Sequence, residues 1–143
     1  MKLWEKSTQV ADEIDRFTVG HDRELDLYLA KYDVMGSMAH IRMLNSIGLL
    51  GDDELPQLLQ ELRSIYDLAE RGEFVIEDGI EDVHSQVELM LTRRLGDMGK
   101  KIHAGRSRND QVLVDLKLFT RDKLRQVAEA VRALFDKLQL QSE

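Results

Sequence analysis

The sequence predicts an all-α protein, and three observations predict it. A single proline occurs in 143 residues. Runs of β-branched residues are few. Apolar residues recur at helical spacing through the stretches 23–47, 52–72, 81–95 and 107–143. Hydrophobic residues make up 43% of the chain and charged residues 33%. That balance suits one domain with a modest core and is not the balance of a disordered chain.

A net charge of −7 argues against general nucleic-acid binding, which needs a broad basic face. The absence of cysteine excludes a disulfide framework and any Cys-ligated metal. The opening Met1-Lys2-Leu3-Trp4-Glu5-Lys6 lacks the apolar core of a signal peptide, and no run approaches transmembrane length. A cytoplasmic address with no membrane partner is therefore expected.

In chain order, residues 4–17 read as a short helix or turn-rich arm anchored by Ile14 and Phe17, with Trp4 as a packing residue. The helix expected over 23–47 carries its apolar stripe at Leu25, Leu29, Tyr32, Met35 or Gly36, Ala39, Met43 and Ile47, and Gly48 supplies its left-handed stop. Gly36 inside that helix costs about 1 kcal/mol against Ala, so close approach of another helix is expected there. Ser37 and His40 fall off the stripe, where surface or helix-pairing roles are expected. Asp52-Asp53-Glu54 opens the next helix with acidic residues at its positive end, and Pro56 suits a first turn. Leu55, Leu58, Leu59, Leu62, Ile65 and Leu68 or Ala69 form its core face before Gly72. A short connection follows, with an extended piece expected at Phe74-Val75-Ile76.

Over 81–95, the core face comprises Val83, Val87, Met90 or Leu91, and Arg94 or Leu95, with Gly96 as the stop. His84 and Glu88 lie one turn apart on one face. His84 finds no further His or carboxylate at metal-ligand spacing, so no metal is expected. Residues 100–108 then gather four Lys/Arg and one His in an acidic chain. Ser107, Asn109 and Asp110 are residue types that cap a helix start. Arginines ahead of such a start favour an anion, either a carboxylate or a phosphate. A solvated basic turn before a well-capped helix fits the same residues.

In the last stretch Val112, Leu116 and Phe119 mark one stripe. Leu113, Leu124, Val127, Val131, Leu134 and Leu138 mark a second, near heptad spacing. A helix of some 30 residues would measure about 45 Å, against a radius of gyration of about 15 Å for a domain this size. A seam that long needs partners, either other subunits or further chain.

Lys101-Ile102-His103-Ala104-Gly105-Arg106-Ser107-Arg108-Asn109-Asp110-Gln111-Val112 closely resembles the Lys-Leu-His-Thr-Gly-Arg-Ser-Arg-Asn-Asp-Gln-Val signature of the argininosuccinate lyase family. That family belongs to the fumarase/aspartase superfamily, whose members release fumarate by β-elimination. Leu3-Trp4, Asp33-Val34-Met35-Gly36-Ser37 and Glu81-Asp82-Val83-His84 followed by Glu88 also resemble family segments. Ala104 replaces the usual Thr, and Glu5-Lys6-Ser7-Thr8 replaces Gly-Gly-Arg-Phe. The family's Phe-Asn-x-Ser substrate loop has no Ser counterpart at Gly20, His21 or Asp22.

The resemblance implies a helical N-terminal lyase domain over 1–106 and the start of the first long central-bundle helix over 107–143. It implies that Ser107, Arg108 and Asn109 hold a carboxylate of argininosuccinate, with Asp82 and His84 in support. It also implies no metal or organic cofactor, and a homotetramer for the full-length family. No catalytic residue is assigned within this chain. The family's Thr-His segment and its Gly-Ser-Ser loop with Met-Pro-x-Lys have no counterpart here, so the isolated chain is expected to be inactive. A lyase acting on adenylosuccinate is an alternative within the superfamily. A non-catalytic, anion-binding helical oligomer of the delta-crystallin type is the alternative outside enzymes.

Overall fold

The computed structural model describes Ile14, Phe17 and residues 19–142. Among the described residues, six α-helices, α1 (Asp22–Leu25), α2 (Ala30–Ser46), α3 (Glu54–Glu70), α4 (Val83–Leu95), α5 (Asp97–Lys100) and α6 (Arg108–Ser142), are joined by turns. Two of those turns, Asp26–Tyr28 and Lys101–His103, are 3-10 helices. No strand occurs among the described residues. The all-α expectation is met. Of the expected N-terminal anchors, Ile14 and Phe17 are exposed, and Trp4 lies outside the described residues.

Helices α2, α3 and α4 enclose the core. On α3, Leu58, Leu62 and Ile65 are almost fully buried, and Leu55, Leu59, Leu68 and Ala69 pack around them, as the spacing predicts. On α4, Val83, Val87 and Leu91 point into the same core. Phe74 and Ile76 are buried while Val75 between them is exposed, the alternation of an extended segment, although it pairs with no strand. Gly48, at φ 76°, ends α2. The amide of Leu49 bonds back to the Leu44 carbonyl and that of Gly48 to Asn45, which satisfies the last carbonyls of the helix.

The stripe expected on α2 is corrected. Leu25, Met35, Met43 and Ile47 are exposed, and the core face is Ala30, Val34, Ile41 and Leu44. The helix is also broken earlier, because the Asp26 carboxylate turns away to accept the Val83 amide at 3.1 Å and Arg23 Nε donates to the Ile80 carbonyl at 2.6 Å. The reason for the misreading is that α2 is buried on two sides. One side meets α3 through aliphatic residues. The other meets α6 through Tyr32, Asp33 and Gly36, and the turn before it through Ser37; Asp33 and Ser37 are polar positions that no apolar periodicity would mark.

Gly36 sits where α2 and α6 approach closely. A Cβ there would lie 3.2 Å from Val114 Cγ1 and 3.8 Å from Asp115 Oδ1. Further along, the Tyr32 and Phe119 rings meet edge-to-face at 5.9 Å, and the Tyr32 hydroxyl donates to Asp122 at 3.0 Å. Beyond Asp122 every described residue of α6 is exposed. The seam of Leu113, Leu124, Val127, Val131, Leu134 and Leu138 is exposed, and Leu116, expected on the other stripe with Val112 and Phe119, is exposed as well.

Gly36→Leu should therefore wedge α2 from α6 and lower stability by about 1–3 kcal/mol. A reduced urea midpoint with an unchanged denaturant slope is the expected result.

Candidate functional site

The site is built on residues 104–111, where the chain turns into α6. Ser107 and Asp110 cap that helix reciprocally. Asp110 Oδ2 accepts both the Ser107 amide (2.8 Å) and the Ser107 hydroxyl (2.9 Å), and the Asp110 amide reaches Ser107 Oγ at 3.3 Å. These bonds hold the Asp110 carboxyl below its ordinary range. Ser107 and Asn109 are exposed, at the positive end of a 35-residue helix.

Arg108 points to the start of α4. Its Nη2 donates to Ser85 Oγ at 3.0 Å, and its Nη1 lies 3.0 Å from Asp82 Oδ2 and 3.4 Å from Glu81 Oε2. Asp82 is also the cap of α4, accepting the Ser85 amide at 2.8 Å. One carboxylate thus both starts α4 and orients Arg108. The fold brings together Arg108 and Asp82, which lie in two separate sequence segments, and it presents Ser107 and Asn109 on the solvent side of the same turn.

His84 faces the other way, into the protein. Its Nδ1 bonds to Asp33 Oδ1 of α2 at 2.8 Å and lies 3.8 Å from Asp115 Oδ2 of α6. The carboxylates around it come from α2 and α6, not from Glu88, its expected neighbour along the helix. Burial would depress the His84 pKa, but the Asp33 hydrogen bond and the charges of Asp33, Asp82 and Asp115 raise it overall. Gln111 Nε2 also approaches Asp33 Oδ1, at 3.4 Å.

Asp115 is 1% exposed, and burial followed by the nearby Asp33 charge pushes its pKa up to about 8. Burial thus favours the protonated carboxyl, which spares the interior a second carboxylate charge beside Asp33.

Asp33 as the His84 partner, Gln111 and Asp115 carry no such expectation from the sequence, whereas Arg106, expected with Arg108 to face an anion, turns inward instead. Arg106 Nη2 donates to the buried Ser37 hydroxyl at 2.9 Å. The available signal was the polar pair Gln111 and Asp115, four residues apart on one helix face. The spacing argument against metal partners for His84 is also corrected, since the fold supplies Asp33 and Asp115. Ligand atoms of the three lie within 4.8 Å of one another. A divalent cation there would have to displace the His84–Asp33 hydrogen bond and the Asp115 proton while facing the positive charge of Arg106.

A family model described as "Lyase" matches residues 6–143. Among curated relatives, a protein from Bacteroides thetaiotaomicron named argininosuccinate lyase is 74% identical over 142 residues, covering 99% of this chain and 32% of its own length. One of the same name from Bacteroides fragilis is 75% identical with the same coverage. A third, from Thermotoga neapolitana, is 42% identical over 130 residues, covering 91% of this chain and 33% of its own length. The chain spans about a third of the length of the curated relatives it matches.

The cluster sets a pH dependence. With the folded-state pKa of Asp115 near 8, above its unfolded value of 3.8, the native state binds the extra proton between those values. Its burial therefore costs progressively more stability as pH rises through that window, and the full cost stands above about 8. The raised pKa of His84 acts in the same direction, because its stabilisation is lost as pH climbs through the folded value. Asp115→Asn should flatten the fall in melting temperature between pH 5 and pH 9 and exceed the parent at the alkaline end.

Proposed function

The chain belongs to this lyase family, and on that premise we propose that it is part of an argininosuccinate lyase, cleaving argininosuccinate to arginine and fumarate. The single observation carrying this reading is identity above 70% to proteins of that name over nearly the whole chain. We also read residues 1–106 as a helical lyase domain and 107–143 as the start of a long central helix, with a cytoplasmic address. Among the described residues no helix is long and apolar enough to cross a membrane, in keeping with that address.

β-Elimination of fumarate needs a base for the proton beside a carboxylate, stabilisation of the resulting enediolate, and an acid for the departing guanidinium. In this reading the turn at the head of α6 serves the carboxylate. Asn109 donates its side-chain amide and Arg108 its guanidinium, while the Ser107 end of the helix contributes its positive dipole. Asp82 supports by orienting Arg108, at 3.0 Å. His84 supports from beneath, by fixing α4 to α2 through Asp33. The base comes from outside these residues, as the resemblance to the family implies.

We further propose that the α6 seam is a self-association surface, consistent with a homotetramer. Its exposed Leu124, Val127, Val131, Leu134 and Leu138 alternate at spacings of three and four residues, the pattern by which helices interlock.

In the full-length protein, Asn109→Leu should lower kcat/KM for argininosuccinate by about a hundredfold or more while leaving the helical circular-dichroism spectrum intact; a near-parental kcat/KM would remove the site assignment. The double substitution Val131→Glu/Leu134→Glu should shift the sedimentation coefficient to that of a smaller species, and an unchanged value would exclude the seam as the contact.

A further inference from the structure

Neither substrate binding nor acid–base chemistry uses the polar face that α2 turns toward residues 104–107. That face holds the turn at two points. The His40 Nε2–H donates to the Ala104 carbonyl at 2.8 Å, and Arg106 Nη2 donates to Ser37 Oγ at 2.9 Å. Ser37 is fully buried, so Arg106 reaches inward while its neighbour Ser107 is exposed. Arg106 Nε is also buried and has no hydrogen-bond acceptor within reach. Asp33, Asp115, Glu88 and Asp110 all act on its charge. An arginine half-sunk in the interior beside the one residue pair that caps α6 is costly to place there unless its reach is used.

We propose that Arg106 is a positioning residue, whose anchorage on Ser37 sets the height at which Arg108 and Asn109 meet a substrate carboxylate. Arg108 is held laterally by Asp82 and Ser85. Arg106 supplies the perpendicular restraint. The planar fork of arginine spans the distance from the turn to α2 with its geometry preset, which a lysine cannot reproduce. This inference rests on the carboxylate-binding reading of the turn given above.

Kinetics and hydrogen exchange on the full-length protein test it separately. Arg106→Gln should raise KM for argininosuccinate about tenfold with kcat within about threefold, because a displaced turn weakens binding while the base elsewhere is untouched. Arg106→Lys should recover part of that loss. Ser37→Ala should produce the same split, and the double variant should lose no more than the larger single loss, since both act through one contact. Independently of turnover, backbone amides of residues 107–111 should exchange faster in Arg106→Gln while those of residues 58–65 stay protected. A parental KM, a kcat loss at constant KM, additive losses, or unchanged exchange at 107–111 would each overturn the proposal. Should Arg106→Gln not fold, Ser37→Ala carries the same readouts. If Asn109→Leu proves as active as the parent, the substrate assignment fails, and exchange at 107–111 still decides whether Arg106 positions the turn.

Discussion

The hydrogen bond between His84 and Asp33 is the contact on which the arrangement depends. It joins α4 to α2 across 51 residues of sequence, and Asp115 brings α6 to the same point. Each group is nearly inaccessible to water. Removing one partner of a buried pair typically costs about 3–5 kcal/mol, because the other is left desolvated and unmatched. A protonated Asp115 relieves that interior, since a second carboxylate charge would lie desolvated beside Asp33 and repel it. Close packing at Gly36 and the edge-to-face rings of Tyr32 and Phe119 continue the joint along α6.

Two opposite surfaces of α6 thus obey different physics. Its first turns dock through hydrogen bonds, a glycine notch and a proton, which fix one register because the groups have few alternative partners. Its far surface carries aliphatic side chains that attract without direction. The proposed substrate turn sits at the start of the polar part, where α2 and α4 both hold it. Arg108 and Arg106, two residues apart, leave the chain toward different helices, Arg108 to α4 and Arg106 to α2.

Helices α3 and α4 were legible because one apolar face marks each of them and a capping residue starts α4. Leu58, Leu62 and Ile65 recur at helical spacing, and Asp82 stands where a cap belongs. The length and free seam of α6 were legible from period alone. What was not legible was whatever is polar and buried. Helix α2 has two occupied sides, and one uses Asp33 and Ser37, which a hydrophobic count scores as solvent-facing, although the close approach at Gly36 was expected from the glycine itself. The partners of His84 come from distant helices, so local spacing gave no sign of them. The break at Asp26–Tyr28 has the same origin, a side chain recruited by the Val83 amide far along the chain.

Among the described residues, the last hydrogen bond between α6 and the helical core is Tyr32 to Asp122. From there to Ser142 the helix runs on for about 30 Å. It is in effect a lever clamped at one end. A tilt of about five degrees at the clamp would carry the free end roughly 3 Å, about half a helical turn of axial rise. Whatever docks along Val131 and Leu138 is therefore aimed by groups far behind it. Loosening the joint at Asp33, His84 and Asp115 would misalign a distant surface without altering any residue on it.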